Sequence, residues 1–135
     1  MAVFIDTCIF VAARNKSDIN HERAVELLKS ALKGEYGAAY TSSLVFNEAV
    51  TVALVRTKRA EVAIDLGSFI LSSRRIKMLH VDPETFKEAW HRFTKYAAKG
   101  LSFTDAASIT LMEKNRIEYI MSFDRHFDSI VRRIP

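Results

Sequence analysis

Four carboxylates carry the chemistry that can be read from this chain: Asp6, Glu48, Asp105 and Asp124. Asp6 follows the apolar run Ala2-Val3-Phe4-Ile5, and Asp124 follows Tyr119-Ile120-Met121-Ser122-Phe123. Glu48 falls on a segment of helical periodicity where Leu44, Val45, Thr51, Val52 and Val55 share its face. Asp105 lies on another, with Leu101, Ser102, Ser108, Ile109 and Met112 as company. A carboxylate against apolar surroundings costs free energy unless something pairs with it. One divalent cation with oxygen ligands would serve all four at once. The pattern points to metal-assisted phosphodiester chemistry.

Each acid has a plainer explanation when taken alone. Asp6 serves as a helix N-cap or loop acid, Asp124 caps the short segment 125–131, and Glu48 pairs with a distant base, since no basic residue stands three or four positions away. Asp105 closes Ser102-Phe103-Thr104-Asp105, a capping box with Asp in place of Glu. Capping and metal binding are compatible, because a first-turn side chain points past the helix end. The weight lies in the set of four.

The elements that must position them alternate. Strand-like runs occur at 2–5, 38–41, 76–81 and 118–122, with helix-length segments between, which predicts an α/β domain with a largely parallel sheet. Ser17-Asp18 is expected to cap a helix reaching Lys33 and ended by Gly34, with Ala24, Leu27, Leu28, Ala31 and Leu32 as its core stripe. Helices are expected at 43–57 and 60–73, then from Pro83, capped by Asp82, to Lys99-Gly100, and finally at 103–115. Phe86, Trp90, Phe93 and Ala97 share one face of the Pro83 helix; core packing is the preferred reading of that stripe over base stacking. Ligand sites of parallel sheets lie outside the carboxyl ends of the strands, where Asp6 and Asp124 both fall.

The chain has 135 residues, enough for one domain over 1–135 with its own core and no need of disulfides. Cys8 is its only cysteine, so an internal disulfide is impossible and a reducing compartment is expected. No apolar run approaches membrane-spanning length and no basic leader precedes the first strand, so the expected location is the cytoplasm, without a membrane partner. Net charge is +4; with the four site acids set aside from the 16, 12 acids face 20 bases. An acidic spot in a basic surface suits a protein that holds metal in one place and phosphates around it. Basic clusters stand at Arg56-Lys58-Arg59, Arg74-Arg75-Lys77 and Arg132-Arg133, though solvated helix ends explain each of them equally well.

Four segments together resemble a known family. Phe4-Ile5-Asp6-Thr7, Asn47-Glu48 in an apolar helix, Leu101-Ser102-Phe103-Thr104-Asp105-Ala106 and Ser122-Phe123-Asp124-Arg125-His126-Phe127 follow the order and spacing of PIN-domain nucleases. The resemblance covers nearly the whole chain, and within the family it is greatest to the compact toxins of VapBC toxin–antitoxin pairs. It implies a three-layer α/β/α domain with sheet order 3-2-1-4-5 and Mg²⁺- or Mn²⁺-dependent endoribonuclease activity. It also implies a homodimer and a small cognate antitoxin. Carried over by motif, Asp6, Glu48, Asp105 and Asp124 form the acidic site, with Thr7, Thr104 and Ser122 as supporting hydroxyls. Asp6 and Asp105 are then the principal metal ligands, joined by Asp124, while Glu48 acts through water or a second ion. One position departs: family members often carry a further acid before the phenylalanine matching Phe127, and this chain has His126. The chain also stops soon after Ile134, which predicts a short or absent final strand.

Other chemistries find less support. Cys8 as a nucleophile, with His80 or His126 as base, lacks an orienting group. The four histidines show no zinc-ligand spacing, and the four glycines form no phosphate-binding loop. A haloacid-dehalogenase-like phosphotransferase would want a second Asp two residues after Asp6, where Cys8 stands. The alternatives that remain are a non-catalytic RNA-binding or regulatory PIN-like module and an RNA-processing PIN nuclease without an antitoxin.

Overall fold

A computed structural model describes residues 1–135. Strand β1 (Ala2–Ile5) occupies the middle of a five-stranded sheet, with β2 (Ala38–Ser42) and β4 (Tyr119–Met121) on either side. β3 (Ile76–Leu79) and β5 (Arg132–Ile134) form the edges, giving the order β3-β2-β1-β4-β5 with every pairing parallel. A strand buried on both faces must be apolar throughout, and Val3, Phe4 and Ile5 are fully buried. Phe4 registers against Tyr40 on one side and Ile120 on the other.

Six helices connect the strands: α1 (Thr7–Arg14), α2 (His21–Leu32), α3 (Ser43–Thr57), α4 (Ala60–Ser72), α5 (Pro83–Tyr96) and α6 (Phe103–Lys114). α1 to α4 pack among themselves and α5 pairs with α6, which makes the three-layer α/β/α arrangement. Phe10, Leu27, Leu66, Ile109, Met112 and Phe127 fill the core against the sheet. Strand order reverses between β1 and β4, so the crevice at their carboxyl ends is the place where such sheets bind ligands. Asp6 leaves β1 at that crevice, its amide bonded to the Met121 carbonyl at 3.0 Å.

Two expectations change and one is met. The second helix starts at His21 and not near Ser17, because Asp18 Oδ1 accepts the Asn20 amide at 2.8 Å and Asn15 Oδ1 accepts the Ser17 amide, which folds 15–20 into turns. The final strand is short, as expected: β5 pairs with β4 over three residues, and the Ser122 amide bonds the Ile134 carbonyl. The aromatic stripe of α5 is core only at Phe93, which is partly buried against it. Ala89 and Thr85 are the buried residues of the helix, while Phe86 and Trp90 are 54% and 52% exposed.

Candidate active site

Asp6 is the centre of the site and only 2% exposed. It follows β1 in extended conformation and precedes α1, so its side chain turns back over the carboxyl edge of the sheet. Oδ2 accepts the Ser122 hydroxyl at 2.7 Å and faces the Cys8 thiol at 3.6 Å. Oδ1 is buried and has no hydrogen-bond partner. A buried carboxylate oxygen without a donor is costly. Burial, with the Asp105 and Asp124 charges added to it, pushes the Asp6 carboxyl from 3.8 to about 7 despite the Ser122 hydrogen bond.

β4 delivers the opposite wall. Ser122 is fully buried; its hydroxyl also receives the Asp124 amide at 3.1 Å, and this fixes the turn that carries Asp124. Carboxylate oxygens of Asp6 and Asp124 and the Cys8 sulfur lie within 4.8 Å of one another. Arg133 braces the turn from β5, donating to the Ser122 carbonyl at 3.1 Å and holding both oxygens of Asp128.

Asp105 enters from the N-terminus of α6. The capping box is complete: Ser102 Oγ accepts the Asp105 amide and Asp105 Oδ2 accepts the Ser102 amide, both at 3.0 Å. His126 Nε2 lies 3.0 Å from the same Oδ2, and toward an ionised carboxylate that nitrogen carries the hydrogen. Two donors thus pin one oxygen of Asp105 and leave the other without a bond. Asp105 both caps its helix and places its charge on Asp6.

The remaining sequence-derived residues fall into place unevenly. Thr7 is buried, with Oγ1 lacking any partner, and Thr104 is half-buried beside Asp105. Glu48 is half-buried on the second turn of α3, engaged in no hydrogen bond or ion pair and outside the close group formed by Asp6, Cys8 and Asp124. Cys8 and His126 are the contributors that motif reasoning set aside. The Cys8 thiol donates toward Asp6 and accepts the Phe123 amide at 3.3 Å; burial beside the Asp6 charge pushes its pKa up to about 12. A thiol held protonated is no nucleophile. Spacing alone offered a clue to its place, since a side chain two residues after Asp6 reaches the same edge of the sheet.

The donor set suits a hard divalent cation. An unpartnered buried carboxylate oxygen, two further acids close by and a locally negative charge are what such an ion would neutralise.

Residues 3–132 match the family model of the PIN domain. The VapC ribonuclease of Archaeoglobus fulgidus is 28% identical over 128 residues, spanning 94% of this chain and 80% of its own length. Among solved structures, VapC20 of Mycobacterium tuberculosis, a sarcin-ricin loop cleaving toxin, superposes with a TM-score of 0.83 at 27% identity, covering 94% of this chain and 93% of its own. VapBC2 from Rickettsia felis, bound to a DNA fragment from its promoter, shares the fold at a TM-score of 0.68 and 19% identity, over 99% of this chain and 98% of its own.

Proposed function

The chain belongs to the PIN-domain family, and on that premise we propose that it is a metal-dependent endoribonuclease of the VapC kind, a toxin restrained by a small antitoxin. The observation that carries this reading is Asp6, buried, bound by Ser122 on one oxygen and bare on the other, with Asp105 and Asp124 beside it. Similarity to the VapC ribonuclease of Archaeoglobus fulgidus and to VapC20 supports RNA as the substrate.

Asp6, Asp105 and Asp124 would hold Mg²⁺ or Mn²⁺, with Glu48 acting through water or a second ion. A divalent ion so held supplies an acidified water and neutralises charge on the attacked phosphate. The chain's own residues do the positioning. Ser122 fixes Asp6 in the rotamer that leaves Oδ1 free, and the Ser102 amide with His126 does the same for Asp105. The Thr7 and Thr104 hydroxyls are available to orient a carboxylate or phosphate oxygen. No side chain acts as nucleophile.

The same reading includes a homodimer and an antitoxin. An apolar groove between α3 and α4, lined by Phe46, Val50, Leu54, Ile64 and Leu71, offers an amphipathic segment a seat. An antitoxin Arg or Lys placed on Asp6 and Asp105 would block the metal site. The test is cleavage of single-stranded or loop RNA by the purified protein in Mg²⁺ or Mn²⁺ and in EDTA. Activity is expected with metal and none in chelator; robust cleavage in EDTA overturns the reading.

A further inference from the structure

Two large aromatics on α5 stand in water, and they are not isolated. The Phe86 ring lies 5.1 Å from Phe103, Trp90 stacks on Phe93 with centroids 5.6 Å apart, and Phe93 meets Phe103 edge-on at 6.2 Å. The four rings make one contiguous row from the middle of α5 to the first residue of α6. Phe103 stands two residues before Asp105, so the last ring of the row shares the first turn of α6 with an acid of the site. Single exposed apolar side chains are ordinary, but a connected aromatic surface beside a site is a binding feature.

Charge identifies the occupant. Glu88 and Arg92 are taken up by Lys114 and Glu113 on α6. Over the exposed remainder of 83–99, Lys87, Lys95 and Lys99 have no acidic partner, although Lys95 and Lys99 lie over the Tyr96 ring at 5.3 and 5.8 Å, and Glu84 is the one acid left to oppose them. Exposed aromatic faces on a helix with a surplus of cations are the chemistry of single-stranded nucleic-acid binding, where bases stack and phosphates meet the lysines.

We propose that Trp90 and Phe86, backed by Phe93 and Phe103, form a base-stacking subsite for unpaired nucleotides of the RNA strand whose phosphate reaches Asp6 and Asp124. The subsite rests on the nuclease reading for its substrate. Stacking requires splayed bases, so the subsite selects loops and single strands over duplex.

Trp90 is the only tryptophan, which makes it its own reporter. In EDTA at low salt, titration with a ten-nucleotide oligo(A) is expected to quench its fluorescence. An abasic oligomer of equal length and charge should not. By anisotropy of labelled oligo(A), Trp90→Ala and Phe86→Ala should each weaken binding about 5- to 150-fold, leave abasic binding unchanged, and raise KM for cleavage correspondingly. Trp90→Phe, which keeps a ring, should restore most of the loss. Unchanged oligo(A) affinity in both alanine variants overturns the proposal. So does conversion of a dimer to a monomer by Trp90→Ala in light scattering, which would make the patch a subunit contact. RNA binding that needs these rings in a protein that cleaves nothing with Mn²⁺ would support the subsite and sink the nuclease reading; metal-dependent cleavage with unchanged KM in the variants would do the reverse.

Discussion

Replacing Asp6 by Asn tests the electrostatics of the site without an activity assay. The Asp6 carboxyl titrates near 3.8 in an unfolded chain and about 7 in the folded one. Below 3.8 both states hold the proton. Between the two values the native state holds a proton that the unfolded state has lost. Above 7 both are ionised and the native state carries the full cost of a buried charge beside Asp105 and Asp124. The stabilising contribution of protonation is therefore complete below 3.8 and is lost as pH rises through 7. Three pH units correspond to on the order of 4 kcal/mol. About two of those units fall between pH 5 and 8, on the order of 3 kcal/mol; for a chain of this length about 3–4 °C of melting temperature accompanies each kcal/mol, so the metal-free protein should melt on the order of 10 °C lower at pH 8 than at pH 5 through this group alone.

Other groups titrate in the same window, so the informative quantity is the difference between wild type and Asp6→Asn. The variant should melt higher than wild type in EDTA at pH 8, the difference should shrink as pH falls through 7, and the two curves should converge only toward pH 4. Adding Mn²⁺ at pH 8 should close most of that gap, since an ion at 100 times its Kd stabilises wild type by about 2.7 kcal/mol and finds one ligand fewer in the variant. Because the ion displaces the Asp6 proton, its affinity should rise about tenfold per pH unit between 5 and 7 and level off above. Differential scanning fluorimetry and Mn²⁺ calorimetry read these outcomes. A wild-type-minus-variant difference that does not change with pH would refute the buried-charge account.

Three further outcomes follow from the geometry. Ser102→Ala removes one half of the capping box and should cost about 1 kcal/mol of stability with cleavage nearly intact, whereas Asp105→Asn should abolish cleavage without lowering the metal-free melting temperature; if Asp105→Asn only melts lower and still cleaves, the residue is a cap and nothing more. His126→Asp deletes the 3.0 Å bond to Asp105 and sets a second carboxylate there, a repulsion of roughly 3 kcal/mol at 5 Å and an effective dielectric near 20, so Mn²⁺ calorimetry should show tighter binding or a second ion, and an unchanged isotherm counts against that view of the position. Ile64→Asp, at a residue 67% exposed on the α3–α4 groove, should leave the fold intact and prevent co-purification with a co-expressed antitoxin; retention of the complex would place the antitoxin elsewhere.

What could be read from the sequence followed local rules. The strands announce themselves because a central parallel strand is apolar on both faces, and Val3-Phe4-Ile5 and Ile120-Met121 have no polar alternative. The carboxyl-edge positions of Asp6 and Asp124 follow from strand direction alone. What escaped depends on which face of an element finds a partner, which periodicity does not contain. Phe86 and Trp90 read as core because they share a helix face with Phe93, yet α5 packs on α6 through the neighbouring face of Thr85 and Ala89, so Phe93 alone of the three reaches the core and the other two are left at its margin. Cys8 and His126 escaped for a related reason. Neither is a strong ligand type for a hard cation, and each acts here by holding a carboxylate: Cys8 beside Asp6, His126 on Asp105. Their effect is to leave each acid one unoccupied oxygen. The acids announce the site in one dimension; which of their oxygens are free to meet an ion is decided only when β4 and α6 bring Ser122, Ser102 and His126 against them.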